Sequence, residues 1–216
     1  MKYQIVPVTP FQQNCSIIWC EKTQLAAVVD PGGDIERIQQ QLEHHGVTIE
    51  KILLTHGHID HVGGAKALSE ATGVPIIGPH QDDEFWLSSL ADQSKHFGFL
   101  PVAPFAPHQY LQAGDIVTVG QQSLTVLHCP GHTPGHIVFY SAADKLAWVG
   151  DVLFKGSIGR TDFPQSSYQD LITSITQTLW PLGRDVSFIP GHGPISNFGI
   201  ERDQNPFVAD QLFSTH

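Results

Sequence analysis

The stretch Thr55-His56-Gly57-His58-Ile59-Asp60-His61-Val62-Gly63-Gly64 crowds three imidazoles and a carboxylate into a few residues. Imidazole nitrogen with carboxylate oxygen is a donor set suited to zinc and other borderline divalent metals. Such density marks a metal site rather than a solvated histidine-rich loop, and the wider chain supplies donors for two ions. The short apolar run 51–54 before the cluster reads as a buried strand, and 65–70 after it as a helix. The cluster therefore lies at a strand end, on the loop entering a helix. Strand alternation is expected to put His56 and His58 on one face, and the turn to bring Asp60 and His61 toward the same space.

The elements that position these side chains follow from periodicity and turn signals. Residues 2–9 and 14–21 read as strands separated by a polar turn at Gln12-Gln13-Asn14, and 25–30 as a third strand ending at Pro31-Gly32-Gly33. Asp34 is expected to cap a helix with Arg37 at its third position, a stripe of Ile35, Ile38 and Leu42, and a stop at Gly46. A short strand at 74–78 and a helix over 81–91 follow. Residues 92–109, rich in Pro, Phe and His, read as a long ordered loop near the site entrance. Strands are expected at 116–119, 124–127, 137–140, 146–149 and 186–189. A helix carrying Tyr168, Leu171, Ile172, Ile175 and Leu179 ends at Pro181 and Gly183.

Four of these strands end in glycine-bounded polar clusters: Thr55-His56, Pro130-Gly131-His132, Gly150-Asp151 and Gly191-His192. Strands that end on one rim place such clusters in one cleft. The ligand types collected there are His56, His58, Asp60, His61, His132, Asp151 and His192. Helices flank strands in both halves, which implies two packed sheets with helices outside, an αββα four-layer sandwich of the α/β class. No linker or repeat divides residues 1–216, so one domain is expected.

Composition narrows the partners. At 41% hydrophobic and 15% charged, the 216-residue chain is globular. A formal net charge of −10 with no Lys/Arg run argues against nucleic acid or a membrane surface as partner. Cys15, Cys20 and Cys129 are odd in number and form no CxxC, as in a reducing compartment. With no apolar segment at the N-terminus and no run of membrane length, a cytoplasmic location is expected.

Thr-His-x-His-x-Asp-His at 55–61, Gly-His-Thr-Pro-Gly-His at 131–136, Gly-Asp at 150–151 and Gly-His at 191–192 resemble, in order, the motif series of the metallo-β-lactamase-fold hydrolases. The resemblance implies that fold and a division of ligands that spacing alone does not give. His56, His58 and His132 would hold one ion, Asp60, His61 and His192 the other, and Asp151 would bridge them. Zinc is the expected metal; iron or manganese also suits the set, and one site can be partly filled. The nucleophile implied is a hydroxide bridging the metals. By the same pattern His136 is a buried residue that orients a ligand. His44, His45, His80, His96, His108, His128 and His216 read as surface or structural, and Cys129 as a strand-end core residue.

The loop at 150–164 resembles glyoxalase II, the hydroxyacylglutathione hydrolases. That family has a basic residue nine positions after the bridging aspartate that contacts glutathione, and Arg160 holds the position here. A guanidinium can clamp a carboxylate bidentately; an Arg160–Asp162 ion pair that pins the loop is the competing reading. Lys155 is a weaker substrate-binding candidate. Two tyrosine positions of the longer enzymes are Asp162 and Pro194 here, and their C-terminal helical domain is not expected. Residues 3–8, 13–15 and 201–207 look like the short, single-domain bacterial group. The implied reaction is hydrolysis of a small-molecule glutathione thioester, S-lactoylglutathione, to lactate and glutathione in methylglyoxal detoxification. Asp60 would orient the hydroxide as well as bind metal. The leaving thiol has a pKa of about 8.5 and needs no strong general acid. The alternative is a mononuclear-iron glutathione persulfide dioxygenase, whose Gly-Arg-Thr-Asp-Phe loop resembles 159–163. β-Lactam hydrolysis and nucleic-acid cleavage have no specific support in the motifs.

Overall fold

The computed structural model describes residues 1–213; His216 lies outside them. The first half builds a five-stranded sheet from β1 (Lys2–Val8), β2 (Gln13–Trp19), β3 (Leu25–Val29), β4 (Thr48–Leu53) and β5 (Ile76–Ile77), in that spatial order. The first three strands pair antiparallel, and β3, β4 and β5 run parallel. Parallel neighbours need crossover connections. These are α1 (Ile35–His45), then α2 (Ile59–Val62) with α3 (Ala65–Thr72). Two further helices, α4 (Glu84–Ser88) and α5 (Leu90–Phe97), lead toward the second half.

That half contains β6 (Ile116–Val119), β7 (Gln122–His128), β8 (Ile137–Ser141), β9 (Leu146–Gly150), a small hairpin β10 (Leu153–Phe154) and β11 (Ser157–Ile158), β12 (Ser187–Pro190) and β13 (Ser196–Asn197). The large sheet has the order β13-β12-β9-β8-β7-β6. Its one parallel pair, β9 and β12, is joined by α6 (Tyr168–Thr173), which continues through a π-helical segment to Leu179. The helix α7 (Phe198–Gln204) closes this side.

Neighbouring residues on the central strands point into different apolar layers. Ile18, Val29 and Leu53 meet Leu124, Val126, Phe139, Trp148 and Ile189 between the sheets. Their neighbours Ile17, Val28 and Ile52 face outward onto Ile38, Leu42 and Leu68 of the helices. On the other side Val138, Ala147 and Phe188 pack against Leu171, Ile175, Leu179 and Phe198. Strands buried on both faces read as continuous apolar runs instead of alternating ones, which is why these segments are so apolar. The result is the αββα sandwich expected from the sequence. Among the described residues no helix is long and apolar enough to cross a membrane.

Several local expectations need correction. Asp34 precedes α1 but does not cap it by its side chain: it adopts a left-handed backbone, and its carboxylate accepts the Thr9 N–H at 2.8 Å. His56 and His58 lie beyond the end of β4 in irregular backbone, so strand alternation does not pair them. Asp60 and His61 belong to the one-turn helix α2 rather than a loop. Residues 92–97 are helical, because the break in the expected 81–91 helix falls at Ser89 and the chain resumes as α5. The β10–β11 hairpin, β13 and α7 were not anticipated; the strands among them are only two residues long, below any periodicity.

Phe139 is fully buried between the sheets. Phe139→Ala is expected to destabilise the fold by about 3–5 kcal/mol. Urea unfolding at fixed metal concentration measures this, and an unchanged midpoint would contradict the placement.

Candidate metal centre

The ends of β4, β7, β9 and β12 deliver the seven expected ligands to one place. Ligand atoms of His56, His58 and His132 lie within 4.8 Å of one another, and so do those of Asp60, His61 and His192. Asp151 stands between the groups. Its Oδ1 is 3.4 Å from His61 Nε2, and its Oδ2 is 3.5 Å from His132 Nε2 and 3.8 Å from His192 Nε2. Asp60 Oδ2 meets His192 Nε2 at 3.0 Å. The β12 loop comes this close because residue 191 lacks a side chain: a Cβ there would sit 2.1 Å from Asp151 Oδ1 and 2.6 Å from His61 Cε1.

Hydrogen bonds on the far side of each ring set the direction of the lone pairs. His61 Nδ1 donates to Asp30 Oδ2 at 2.9 Å, His132 Nδ1 to the Arg160 carbonyl at 2.8 Å, and His192 Nδ1 to the Phe11 carbonyl at 3.2 Å. The Thr55 hydroxyl donates to Asp30 Oδ2 at 2.6 Å, so its oxygen accepts from His56 Nδ1 at 3.0 Å. His58 Nδ1 lies 2.9 Å from His132 Nε2. His132 Nε2 and His192 Nε2 face His58 Nδ1 and Asp60 Oδ2, so all of these atoms converge on the same space. His56 Nε2, His61 Nε2 and Asp151 Oδ1 are buried with no hydrogen-bond partner. Leaving a buried polar atom in that condition costs about 1–3 kcal/mol, and bound cations would satisfy all three. The residues present fit two metal ions.

The electrostatics divide the two groups: burial would lower His61 and His192, yet the carboxylates of Asp151 and Asp60 raise both, so a bound cation there would displace protons. Burial, reinforced by neighbouring rings, pulls the His56 and His58 imidazoles well below their ordinary range, and burial also lowers His132. The neutral imidazole is the form that ligates metal. Burial alone would raise the Asp151 carboxyl, yet the imidazoles of His61, His132 and His192 hold it well below the usual carboxylate range.

Buried groups outside the ligand set hold the loops in place. Asp30 accepts from the Thr55 N–H at 2.8 Å as well as from the Thr55 hydroxyl and His61. Asp83 accepts from Gly57 N–H at 2.8 Å, the Thr133 hydroxyl at 2.8 Å and Gly135 N–H at 2.6 Å. It ties the loop of His56 and His58 to the loop of His132. Burial pushes its carboxyl up to about 7, against those three hydrogen bonds. His136 accepts the Asp151 N–H at 3.0 Å and stacks on His56 with ring centroids 4.6 Å apart. Asn14 fastens the last ligand loop: its N–H reaches the Gly191 carbonyl at 2.7 Å and its side-chain amide the Gly193 carbonyl at 2.8 Å. Sequence reading anticipated His136 but not Asp30, Asp83 or the role of Asn14. Asp30 carried a faint signal, a carboxylate ending an apolar strand. Asp83, inside Gln81-Asp82-Asp83-Glu84, looked like part of a solvated helix start. Cys129 is buried in the core, which pushes its thiol up, and it joins neither group.

The centre forms the floor of a cleft of about 880 Å³. Arg160 lines it, with Nε and Nη2 on the two oxygens of Asp162 at 2.9 and 2.8 Å and its guanidinium 4.6 Å over the Phe163 ring. The Arg160–Asp162 ion pair of the competing reading is present, at the rim of the cleft. Lys155 does not fit its expected role. It is exposed on the turn of the β10–β11 hairpin, and Phe154 beside it lines the cleft instead. The entrance wall expected from a 92–109 loop is α5, through Asp92, Gln93, His96 and Phe97.

The model of the metallo-beta-lactamase superfamily matches residues 8–192. Hydroxyacylglutathione hydrolase GloC of Haemophilus influenzae is 46% identical over 209 residues, covering 96% of this chain and 98% of that protein. Among solved structures, the BLEG-1 B3 metallo-beta-lactamase superposes with a TM-score of 0.88 at 33% identity, covering 96% of this chain and 99% of that one. TTHA1623 in a di-iron-bound form superposes with a TM-score of 0.87 at 32% identity, covering 95% and 100%.

Asp30→Asn is expected to lower metal affinity about 10–100-fold, since it leaves one acceptor oxygen and no charge where two carboxylate oxygens orient His61 and Thr55. Competition with a chromogenic chelator measures this. Affinity equal to the parent protein's would show that Asp30 does not position the ligands.

Proposed function

Because this chain belongs to the metallo-beta-lactamase superfamily, we propose that it is a metal-dependent thioester hydrolase of glyoxalase II type. Its substrates are acylated glutathiones, S-lactoylglutathione among them. The observation that carries this reading is the pair of three-ligand groups sharing Asp151 on the floor of one open cleft. The relative from Haemophilus influenzae, named a hydroxyacylglutathione hydrolase, supports the substrate class.

His56, His58 and His132 would hold one ion, Asp60, His61 and His192 the second, with Asp151 between them. Bound there, two ions supply Lewis acidity and make water a nucleophile at neutral pH. The chain does the rest by position. Asp60 is partly exposed to the cleft and held by His192; it accepts a hydrogen bond from the attacking water and aims it at the thioester carbonyl. Asp30, Asp83 and His136 hold the ligand-bearing backbone and rings through buried hydrogen bonds, which preorganises the site for developing charge. The sulfur departs as thiolate, because a thiol with a pKa of about 8.5 is a good leaving group without protonation. Arg160 can exchange Asp162 for a substrate carboxylate, since both are planar bidentate acceptors.

The second ligand group does not by itself separate this hydrolase from the single-iron dioxygenase; the 46% identity to a hydroxyacylglutathione hydrolase over nearly the full chain is what supports the hydrolase. The likeness to a B3 metallo-beta-lactamase makes β-lactam opening the control reaction to run beside the thioester. Purified protein carrying about two equivalents of zinc is expected to release free thiol from S-lactoylglutathione. A chelator should abolish the activity and added zinc restore it. Asp151→Ala is expected to lose metal and to slow thiol release at least about a hundredfold. Full metal content and rate in that variant would overturn the shared-ligand scheme. Oxygen uptake with glutathione persulfide and no thiol release would favour the dioxygenase.

A further inference from the structure

The walls of the cleft have a chemistry of their own. Trp86 and Phe163 pack edge-on against the ligand His58, with ring centroids 4.4 and 4.9 Å away, and Phe163 also meets His132 at 5.6 Å. Phe154 lies 6.4 Å from His192 on the other flank. Phe11, Phe85 and Phe97 extend the wall outward; Phe11 and Phe97 meet at 6.1 Å, and Phe85 touches Trp86 at 5.3 Å. Phe11 and Phe85 are 45% and 44% exposed, although both border the reactive floor. Aromatic area left in water beside a polar centre is free energy held for a ligand that covers it.

The charges on the walls point the same way. Above the ligands the cleft offers one guanidinium, Arg160, already engaged by both oxygens of Asp162, and it also carries the Asp92 carboxylate. Among the described residues of the lining, Arg160 is the one Lys or Arg, and His96 the one imidazole beyond the ligands, so the two carboxylates of a glutathionyl group meet few cationic partners. Glutathione carries two carboxylates, an ammonium and two amides, so the part of a glutathione thioester that gains most from this aromatic wall is an apolar acyl group. The acyl carbon must also sit over the floor, where Trp86 and Phe163 are nearest.

Resting on the thioesterase reading above, we propose that this cleft selects its substrates through a bulky apolar or aromatic acyl group, with Trp86, Phe163, Phe85 and Phe97 as the specificity-determining residues. The thiol carrier is read weakly, through Arg160. Lactoyl, with a single methyl beyond its hydroxyl, underfills such a wall.

The test compares S-lactoylglutathione with S-mandeloylglutathione on the metal-loaded protein, two 2-hydroxyacyl thioesters that differ by methyl against phenyl. The mandeloyl ester is expected to have a kcat/KM about ten- to a hundredfold higher, mostly through KM, as apolar contacts of this size give. Phe85→Ala removes a 44% exposed side chain, and Phe97→Leu keeps an apolar group where Phe97 packs at the edge of the core; each is expected to narrow that ratio several-fold. Equal kcat/KM for the two esters, or a preference for lactoyl, overturns the inference while leaving the thioesterase intact. So does a ratio that neither variant changes. Hydrolysis of neither ester by metal-replete protein overturns the thioesterase reading, and this inference with it.

Discussion

Imidazole nitrogens and carboxylate oxygens packed against one another at the floor of a cleft, several of them buried without a hydrogen-bond partner, are tolerable only around positive charge. In a folded interior, two such atoms facing each other without a proton or a cation between them repel, and each has forfeited its hydration. The arrangement of His56, His61 and Asp151 therefore calls for a proton or a cation among these atoms, and a metal bound there would add to the stability of this region. Folding and metal loading are coupled through the same atoms.

The rest of the structure serves to bring those atoms together from distant parts of the chain. Two sheets meet so that the ends of β4, β7, β9 and β12 share one rim, and buried hydrogen bonds hold the backbone that leaves them. Asp83 bridges the loops of His56 and His132 through three donors, Asp30 orients Thr55 and His61, and Asn14 fastens the His192 loop to the start of β2. Each of these groups fixes a direction rather than making chemistry. A ligand misplaced by an ångström loses both metal affinity and reactivity, which is why so many buried polar residues support so few ligands.

Much of this was legible in the sequence for a physical reason. The ligands sit in contiguous motifs directly after apolar strands, and strands buried on both faces announce themselves as runs such as Leu25-Ala26-Ala27-Val28-Val29. The division of ligands into two groups came from the resemblance, and the geometry around Asp151 has that form. What stayed hidden depends on tertiary approach. Nothing local distinguishes Asp83 from its solvated neighbour Asp82, and the difference arises only when Gly57, Thr133 and Gly135 close over one of them. Lys155 was a weak cleft candidate because the short hairpin whose turn carries it into solvent could not be read from the sequence, and the helical character of 92–97 was obscured by the break at Ser89. The aromatic wall had the same problem: Phe11, Phe97 and Phe163 are far apart in sequence and converge only in the fold.

The most direct test of the two-ion centre is anomalous diffraction at the zinc edge from crystals of the zinc-loaded protein. The expected result is two peaks about 3.5–4 Å apart, one bounded by His56, His58 and His132, the other by Asp60, His61 and His192, with Asp151 reaching both. A single peak in this cleft at full zinc loading, or a second ion bound away from Asp60 and His192, would contradict the shared-carboxylate centre.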